Sequence, residues 1–135
     1  MAQPRVRAID TNILVRWITR DDPVQTPLAD AILSEPFFVP LTVLIETIWV
    51  IGGKTYRYTP VMIREALRTL IDLHTATIPA RAWVYWAFDR HEAGADLPDM
   101  LHMIASQGAS TFSSFEKHLR DDAGDAPPLP VEYVT

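Results

Sequence analysis

The sequence predicts an α/β fold in a single domain of three layers, a central mostly parallel sheet flanked by helices. Three observations support this prediction: the length, the composition and the alternation of strand-like with helix-like segments. The chain has 135 residues, which is about one domain with one hydrophobic core. Hydrophobic residues make up 48% and charged residues 21%, so a disordered or fibrous protein is excluded. Strands separated by helices favour parallel pairing with helices on both faces of the sheet.

The first half of the chain predicts three strands and four helices. Residues 5–9 alternate as a strand does, and helical spacing follows over 13–18 after the candidate caps Thr11 and Asn12. A helix over 25–33 and a short buried strand over 37–39 come next. Residues 41–51 are apolar around the whole circumference of a helix, which predicts packing on several sides. The sequence then predicts a loop over 54–59 and an amphipathic helix from 60, with Arg64, Glu65 and Arg68 outward. A strand over 75–78 completes this half.

The second half predicts two further helices and two further strands. The helices lie over 80–93 and 97–108, and the second begins at Leu97-Pro98 because proline is tolerated in a first turn. The sequence next predicts a strand over 109–114 and a helical turn over 116–119. A polar proline-rich connection over 121–130 leads to a last strand over 131–134. In such a sheet ligands bind outside the carboxyl ends of the strands, so polar residues there are the candidate site.

Charge and composition exclude several classes of protein. Seventeen acidic and twelve basic residues give a net charge of −5, so any nucleic acid must be held by local patches or metal ions. The sequence contains no cysteine, which excludes disulfide scaffolds, cysteine zinc sites and thiol nucleophiles and fits a reducing compartment. Residues 1–10 lack the apolar region of a signal peptide, and the apolar stretch over 37–51 is interrupted and shorter than the roughly 20 residues of a membrane helix. We therefore expect neither secretion nor membrane association.

Two acids in the first half are candidates for chemistry. Asp10 follows the first strand and projects from the ligand edge, although, taken alone, it is better explained as a helix cap. Glu46 has mostly apolar neighbours on its helix, including Val43, Trp49 and Val50. A carboxylate there either faces a cleft, a cation or a metal, or extends past the helix edge into solvent.

Three acids in the second half are similar candidates. Asp96 has the spacing of a helix cap, and Asp99 in the first turn complements the helix dipole. A helix N-terminus over the sheet edge would also place Asp99 beside Asp10. Glu116 follows the fourth strand as Asp10 follows the first, so both carboxylates are expected at the same crevice.

These segments resemble the PIN-domain ribonucleases, over nearly the whole chain and in the same order. The opening AIDTNILV, from Ala8 to Val15, is similar to that family's first motif, and LIETIW around Glu46 is similar to the segment with its second acid. GADLPDMLH resembles the segment with the third acid at Asp99, with Asp96 as an accessory acid. FSSFEK resembles the fourth segment, but Ser114-Phe-Glu116 stands where the family commonly has Thr-x-Asp.

The resemblance implies a metal-dependent endoribonuclease, and the length and order resemble the VapC-type toxins of bacterial toxin-antitoxin pairs. It implies that Asp10, Glu46 and Asp99 hold Mg²⁺ or Mn²⁺, with Glu116 at a second ion and cleavage to a 5′-phosphate and a 3′-hydroxyl. It also implies an RNA substrate, a cognate antitoxin, a homodimer and a cytoplasmic protein. Clustered carboxylates independently favour hard cations, because they cannot all remain ionised without them.

Further residues are candidates for supporting roles. Asn12 and Ser114 are candidates to orient the acids or a bound water from behind, and Ser114 could equally cap the turn at Glu116. The candidate RNA contacts, which interleave cations with aromatic rings or share a helix face, are Lys54, Tyr56, Arg57, Arg64 and Arg68, with Arg16 and Arg20 as contributors. A solvated surface loop explains the same pattern. The histidines lack zinc spacing, and Trp83 with Trp86 fits a core or dimer surface better than base stacking.

Two other functions are compatible with the sequence. A phosphohydrolase of the haloacid-dehalogenase class also has an aspartate after its first strand, but it needs a second aspartate where Asn12 stands. A catalytically silent PIN-like scaffold that binds RNA or protein is the other, because Glu116 departs from the family pattern.

Overall fold

The computed structural model describes residues 5–135, which form an α/β protein with short parallel strands. The chain divides into two compact units, Met1–Pro79 and Ala80–Thr135. The predicted α/β class and the predicted parallel pairing are confirmed. The strands of the described residues belong to one sheet of three and one sheet of two, so the expected single sheet is not one continuous ladder. The signal-peptide prediction rests partly on residues 1–4, which lie outside the described residues.

The first unit contains a parallel sheet of three strands and four helices. Its elements are β1 (Arg7–Ala8), α1 (Thr11–Thr19), α2 (Gln25–Leu33), β2 (Phe37–Phe38), α3 (Leu41–Gly52), α4 (Pro60–Ile71) and β3 (Ala76–Thr77). All seven are predicted by the sequence, with the strands two residues long rather than three to five. The strand order is β1-β2-β3, and Phe37 pairs with Arg7 on one side and with Ala76 on the other.

Local chemistry explains where these elements begin and end. Phe37 and Val39 are fully buried at the central strand, and Pro40 ends it because proline has no amide hydrogen for the ladder. Pro60 is accepted at the start of α4, where Thr59 caps the helix through a bond from the Met62 amide of 3.2 Å. Since the strands are parallel, the chain leaves each of them at the same edge of this sheet.

Two helices of the first unit differ from their predicted burial. In α3 one face is buried, but Trp49 and Val50 are exposed, so the prediction of packing all around the helix is wrong. In α4 Arg64 is only 9% exposed, so its predicted outward position is also wrong. Leu67 lies one helical turn after Arg64 and Ile71 lies two turns after it, and both are buried. Arg64 therefore borders the core face of the helix.

The second unit contains three helices and a pair of parallel strands. Its elements are α5 (Arg81–Glu92), α6 (Leu97–Ala105), β4 (Phe112–Ser114), α7 (Leu119–Ala123) and β5 (Val131–Tyr133). Both predicted strands and both predicted long helices are present with shorter bounds. Phe112 pairs with Val131 and Ser114 with Tyr133, and α7 lies in the crossover between the strands.

The helix α7 lies later than the predicted turn over 116–119 and occupies part of the predicted connection. Arg90 stabilises its end, because the guanidinium donates to the carbonyl oxygens of Asp122 (2.7 Å) and Asp121 (3.2 Å). Gly124 follows with a φ of 76°, and a Cβ there would lie 2.9 Å from the guanidinium carbon of Arg90. These are contacts across 30 residues, which local sequence patterns do not reveal.

Within residues 5–135, every helix is too short or too polar to cross a membrane.

Candidate functional site

Asp10 lies just after β1 and caps helix α1. Its Oδ1 accepts a hydrogen bond from the backbone N–H of Asn12 at 3.0 Å, and the side chain is exposed. The capping role considered for Asp10 is therefore confirmed, whereas Thr11 and Asn12 lie inside the helix and do not cap it. Within residues 5–135 its Oδ2 accepts no hydrogen bond, so one carboxylate oxygen is free to bind a ligand while the other holds the helix start.

Glu46 lies on the solvent-facing side of α3. It is exposed together with Thr42, Trp49 and Val50, which are its neighbours three and four residues away on the helix. Residues on the opposite side, such as Leu44, Ile48 and Ile51, are buried against the rest of the first unit. No salt bridge involves Glu46 in the part of the chain that the structure describes, so its charge is available to an external cation.

Asp96 and Asp99 lie at the start of helix α6. The Oδ2 of Asp96 accepts a hydrogen bond from the backbone N–H of Asp99 at 3.0 Å, which confirms the predicted cap. Asp99 lies in the first turn, half-buried, while Asp96 is exposed. Pro98 fits between them because the first turn of a helix needs no amide hydrogen there. The capping bond holds the two carboxylates at the same end of α6.

Ser114 and Glu116 follow from the end of strand β4. The Oγ of Ser114 accepts a hydrogen bond from the backbone N–H of Glu116 at 3.0 Å, which confirms Ser114 as a cap of this turn. Ser114 is half-buried and Glu116 is exposed. The bond positions the Glu116 backbone and leaves its carboxylate open to solvent. The predicted supporting role of Ser114 toward a metal-bound water stays a prediction.

The acids of the second unit act on one another electrostatically. Partial burial raises the pKa of Asp99 above that of an ordinary aspartate, and the charge of Asp96 raises it further. His102 opposes this effect, and the charge of Glu116 adds to it. Glu116 is 17 residues from Asp99 in the sequence, so the fold has brought two separately predicted acidic segments close enough for their charges to interact.

We expect Asp99→Asn to stabilise the metal-free protein at neutral pH. A carboxyl group whose pKa is raised by folding favours the native state at low pH and opposes it once the pH exceeds the native pKa. The variant should therefore have the higher melting temperature at pH 7 in EDTA, and the difference should shrink as the pH falls toward about 4, the ordinary range of aspartate. Thermal unfolding of both proteins across this range measures it, and a gain that is constant with pH would contradict the assignment.

The carboxylates suit a hard divalent cation in their chemistry. Mg²⁺ and Mn²⁺ prefer oxygen ligands, and all five predicted ligands supply carboxylate oxygens. Mutual repulsion at Asp99 is the condition that a bound cation relieves. Within residues 5–135 the structure contains no group of three or more His, Asp or Glu side chains that could hold a metal ion. The meeting of the predicted acids at one sheet edge therefore stays a prediction.

The candidate RNA-binding patch is only partly exposed. Lys54 and Arg57 are exposed in the loop after α3, as expected for a contact with a large ligand. The Tyr56 hydroxyl instead donates to Asp21 at 2.8 Å and accepts from Arg16 at 3.1 Å, so this hydroxyl is already bonded within the first unit and the residue is half-buried. Arg64 is buried and Arg68 half-buried. Of the five predicted RNA contacts, Lys54 and Arg57 are therefore the exposed ones, and the predicted patch stays a prediction.

Arg16 and Arg20 are also engaged in ion pairs. Arg16 forms a salt bridge with Asp21 at 3.3 Å, and Arg20 forms a two-pronged pair with Asp30 at 3.0 and 2.7 Å. The Arg20 guanidinium lowers the pKa of Asp30. These arginines are therefore ordered by acids of the same unit, and a phosphate would have to compete with those acids.

No family model, curated protein or solved structure matches this chain. The PIN-domain resemblance therefore stays a prediction.

Two exposed aromatic rings were not predicted as functional residues. Trp49 is 61% exposed and Phe115 is 82% exposed, and they neighbour Glu46 and Glu116 in the chain. For Trp49 the signal was present in the sequence, because a charged residue in an apolar helix marks the solvent face that residues three and four positions away share. For Phe115 no periodic pattern gives the orientation.

Proposed function

We propose that this protein is a metal-dependent endoribonuclease with a PIN-like three-layer fold. The observation that carries the proposal is the start of α6, where a 3.0 Å capping bond holds Asp96 and Asp99 together and the charge of Glu116 adds to the raised pKa of Asp99, since the PIN-domain resemblance assigns these acids to one metal site. The free oxygen of Asp10 at the carboxyl end of β1 and the exposed carboxylate of Glu46 support it.

The proposal assigns a role to each acid. Asp10, Glu46 and Asp99 hold the principal Mg²⁺ or Mn²⁺, and Glu116 serves a second ion with Asp96 as an accessory acid. Asp10 and Asp96 each keep a helix start in place through a backbone hydrogen bond. Their positions are therefore set before any ligand binds, which lowers the entropic cost of assembling the site.

In this proposal the acids bind the cation, and Lys54 and Arg57 contact the RNA. When bound, a divalent cation supplies an activated water and neutralises the charge that develops on the phosphodiester. Half-buried Asp99 is the acid with the most restricted access to water, so its interaction with a cation is the least screened. Lys54 and Arg57 are the exposed cations of the patch that can contact the RNA backbone.

Cleavage of single-stranded RNA by the purified protein tests this function. We expect fragments in Mg²⁺ or Mn²⁺ and intact RNA in EDTA. The 3′ ends of the fragments should be extendable by a polymerase, because hydrolysis by an activated water leaves a 3′-hydroxyl. Fragments with 2′,3′-cyclic phosphate ends would show that the 2′-hydroxyl of the RNA, and not an activated water, attacks the phosphorus, and would contradict the proposal.

We further propose that the enzyme is a VapC-type toxin that forms a homodimer and is inhibited by a cognate antitoxin. A short neighbouring gene for a DNA-binding protein whose product stops RNA cleavage would support this role. If the protein cleaves RNA but its gene has no such neighbour, the proposed nuclease function stands and the proposed toxin role does not.

Glu116 gives a graded prediction about the second ion. If its carboxylate serves a cation, Glu116→Gln should lose more cleavage than Glu116→Asp, because the charge matters more than one methylene of length. The loss in Glu116→Gln should be largest at low Mn²⁺ and partly recover at high Mn²⁺. Cleavage rates of the three proteins across a Mn²⁺ series measure this, and coinciding curves for wild type and Glu116→Gln would remove Glu116 from the site.

A further inference from the structure

Exposed aromatic rings are rare in this protein and lie beside the proposed acids. The chain contains thirteen Trp, Tyr and Phe residues. Within residues 5–135, which include all of them, only Trp49 and Phe115 are classed as exposed, at 61% and 82%. Trp49 lies three residues after Glu46 on α3, and Phe115 directly precedes Glu116. Each of two separate acidic segments therefore carries its own solvent-facing ring.

The helix geometry makes the first pairing specific. Residues three apart on a helix have their Cβ atoms about 5–6 Å from each other on one surface. Glu46 and Trp49 consequently form one solvent-facing patch, which Thr42 and Val50 extend. Glu46 is the only charged residue of α3, so the indole has no second carboxylate on its own helix to repel a phosphate.

We propose that Trp49 and Phe115 each bind the substrate by stacking on an unpaired base of RNA, each beside the acid of its own segment, Glu46 or Glu116. The inference rests on the proposed ribonuclease function and identifies how that site binds its substrate. Stacking suits this chain because its net charge of −5 does not attract RNA, whereas contact between a base and an aromatic ring is independent of charge. It also requires accessible base faces, which a duplex does not offer.

A protein partner fits this patch less well than RNA. The central part of a protein interface is depleted of charged residues, and here a carboxylate lies within the apolar patch. Covering the patch with protein would bury Glu46, which has no ion pair among the described residues. A single-stranded RNA leaves Glu46 open to solvent or to a cation, because a stacked base would cover the ring and not the carboxylate.

The other tryptophans show the contrast. Trp83 and Trp86 on α5 are half-buried and contact each other edge to face, with ring centroids 5.5 Å apart. Part of their aromatic surface is therefore already used within the second unit. Trp17 is also half-buried. These three rings are not assigned to RNA.

Binding of two fluorescent probes in EDTA tests the inference without hydrolysis. One probe is a single-stranded RNA oligonucleotide, and the other is an abasic ribose-phosphate chain of the same length. We expect the wild type to prefer the probe with bases. Trp49→Ala and Phe115→Ala should each weaken binding of that probe by about fivefold to a hundredfold and leave the abasic probe unaffected. Trp49→Phe should retain most of the affinity because it keeps a ring.

Salt and a matched variant separate stacking from other effects. Plots of log affinity against log salt should be parallel for wild type and Trp49→Ala, because no phosphate contact is lost. Val61→Ala, which truncates a side chain of similar exposure at 56%, should leave both probes unaffected. Melting temperatures show whether each variant is folded. We expect Trp49→Ala and Phe115→Ala to fold, because both rings are exposed.

The possible failures are distinguishable. If the wild type cleaves RNA in Mn²⁺ but Trp49→Ala and Phe115→Ala bind both probes as the wild type does, stacking is overturned and the nuclease function stands. If the wild type neither binds nor cleaves RNA, both proposals are overturned. If Trp49→Ala converts a dimer into a monomer with unchanged RNA affinity, the patch belongs to a second copy of the chain and the inference is wrong.

Discussion

Replacement of either Asp10 or Asp99 by asparagine should reduce metal-dependent RNA cleavage by more than about a hundredfold. Loss of a group that only supports a metal ligand costs about ten- to a hundredfold, so loss of the ligand itself should cost more. Asparagine caps helices as well as aspartate does, so Asp10→Asn should keep the bond from the Asn12 amide that begins α1. Initial rates of cleavage in Mg²⁺ and Mn²⁺ measure the effect.

Asp22→Asn is the matched control for this experiment. Asp22 holds the backbone just before α2, since its Oδ1 accepts from the amides of Val24 (2.9 Å) and Gln25 (2.7 Å), but it is not one of the proposed ligands. We expect it to cleave RNA as the wild type does. The double variant of Asp10 and Asp99 should be no worse than the single ones, because ligands of one ion act as a unit. Substantial cleavage by either single variant would show that the proposed site is wrong.

Mn²⁺ should raise the melting temperature of the wild type by about 8 to 11 °C at a hundredfold excess over its dissociation constant. An ion that binds only the native state stabilises it by about 2.7 kcal/mol at that concentration, and a chain of this length gains roughly 3 to 4 °C per kcal/mol. Asp99→Asn should lose most of this shift, while Asp22→Asn should retain it. Thermal unfolding over a Mn²⁺ titration provides the measurement.

The same shift should be smaller at acid pH. Protons and the cation compete for the Asp99 carboxylate. Because the pKa of this carboxyl is raised, protons displace the cation at a higher pH than they would from an ordinary aspartate. We therefore expect the effect of Mn²⁺ to be full at pH 7 and reduced near pH 5. An unchanged melting temperature in Mn²⁺ at pH 7, or an equal shift in Asp99→Asn, would contradict a metal site that includes this residue.

The positions of helices and strands are determined mainly by the sequence near each of them. Pro40 ends a strand, Pro60 and Pro98 open helices, and Asp96 caps the helix that contains Pro98. These signals act over a few residues through missing amide hydrogens and capping bonds, so they can be predicted without the fold. Helix α7 is the exception, because Arg90 supplies its terminal bonds from a distant helix.

The tertiary structure decides which of the predicted residues are available. Tyr56 and Arg64 fit a nucleic-acid patch by type and spacing, yet one is bonded to Arg16 and Asp21 and the other is buried. Helical periodicity gives the angle between residues on a helix, but only packing determines which angle points to the core.

The acids of the candidate site also combine features set by local sequence with features set by the tertiary structure. The sequence by itself determined that carboxylates follow β1 and β4 and begin α6, because strand ends and helix caps are local features. It could not determine that the charge of Glu116 reaches Asp99, since their separation in space depends on how β4 and α6 are arranged within the second unit. Electrostatic interaction falls with distance through space and is independent of distance along the chain, and for this reason only the folded structure reveals it.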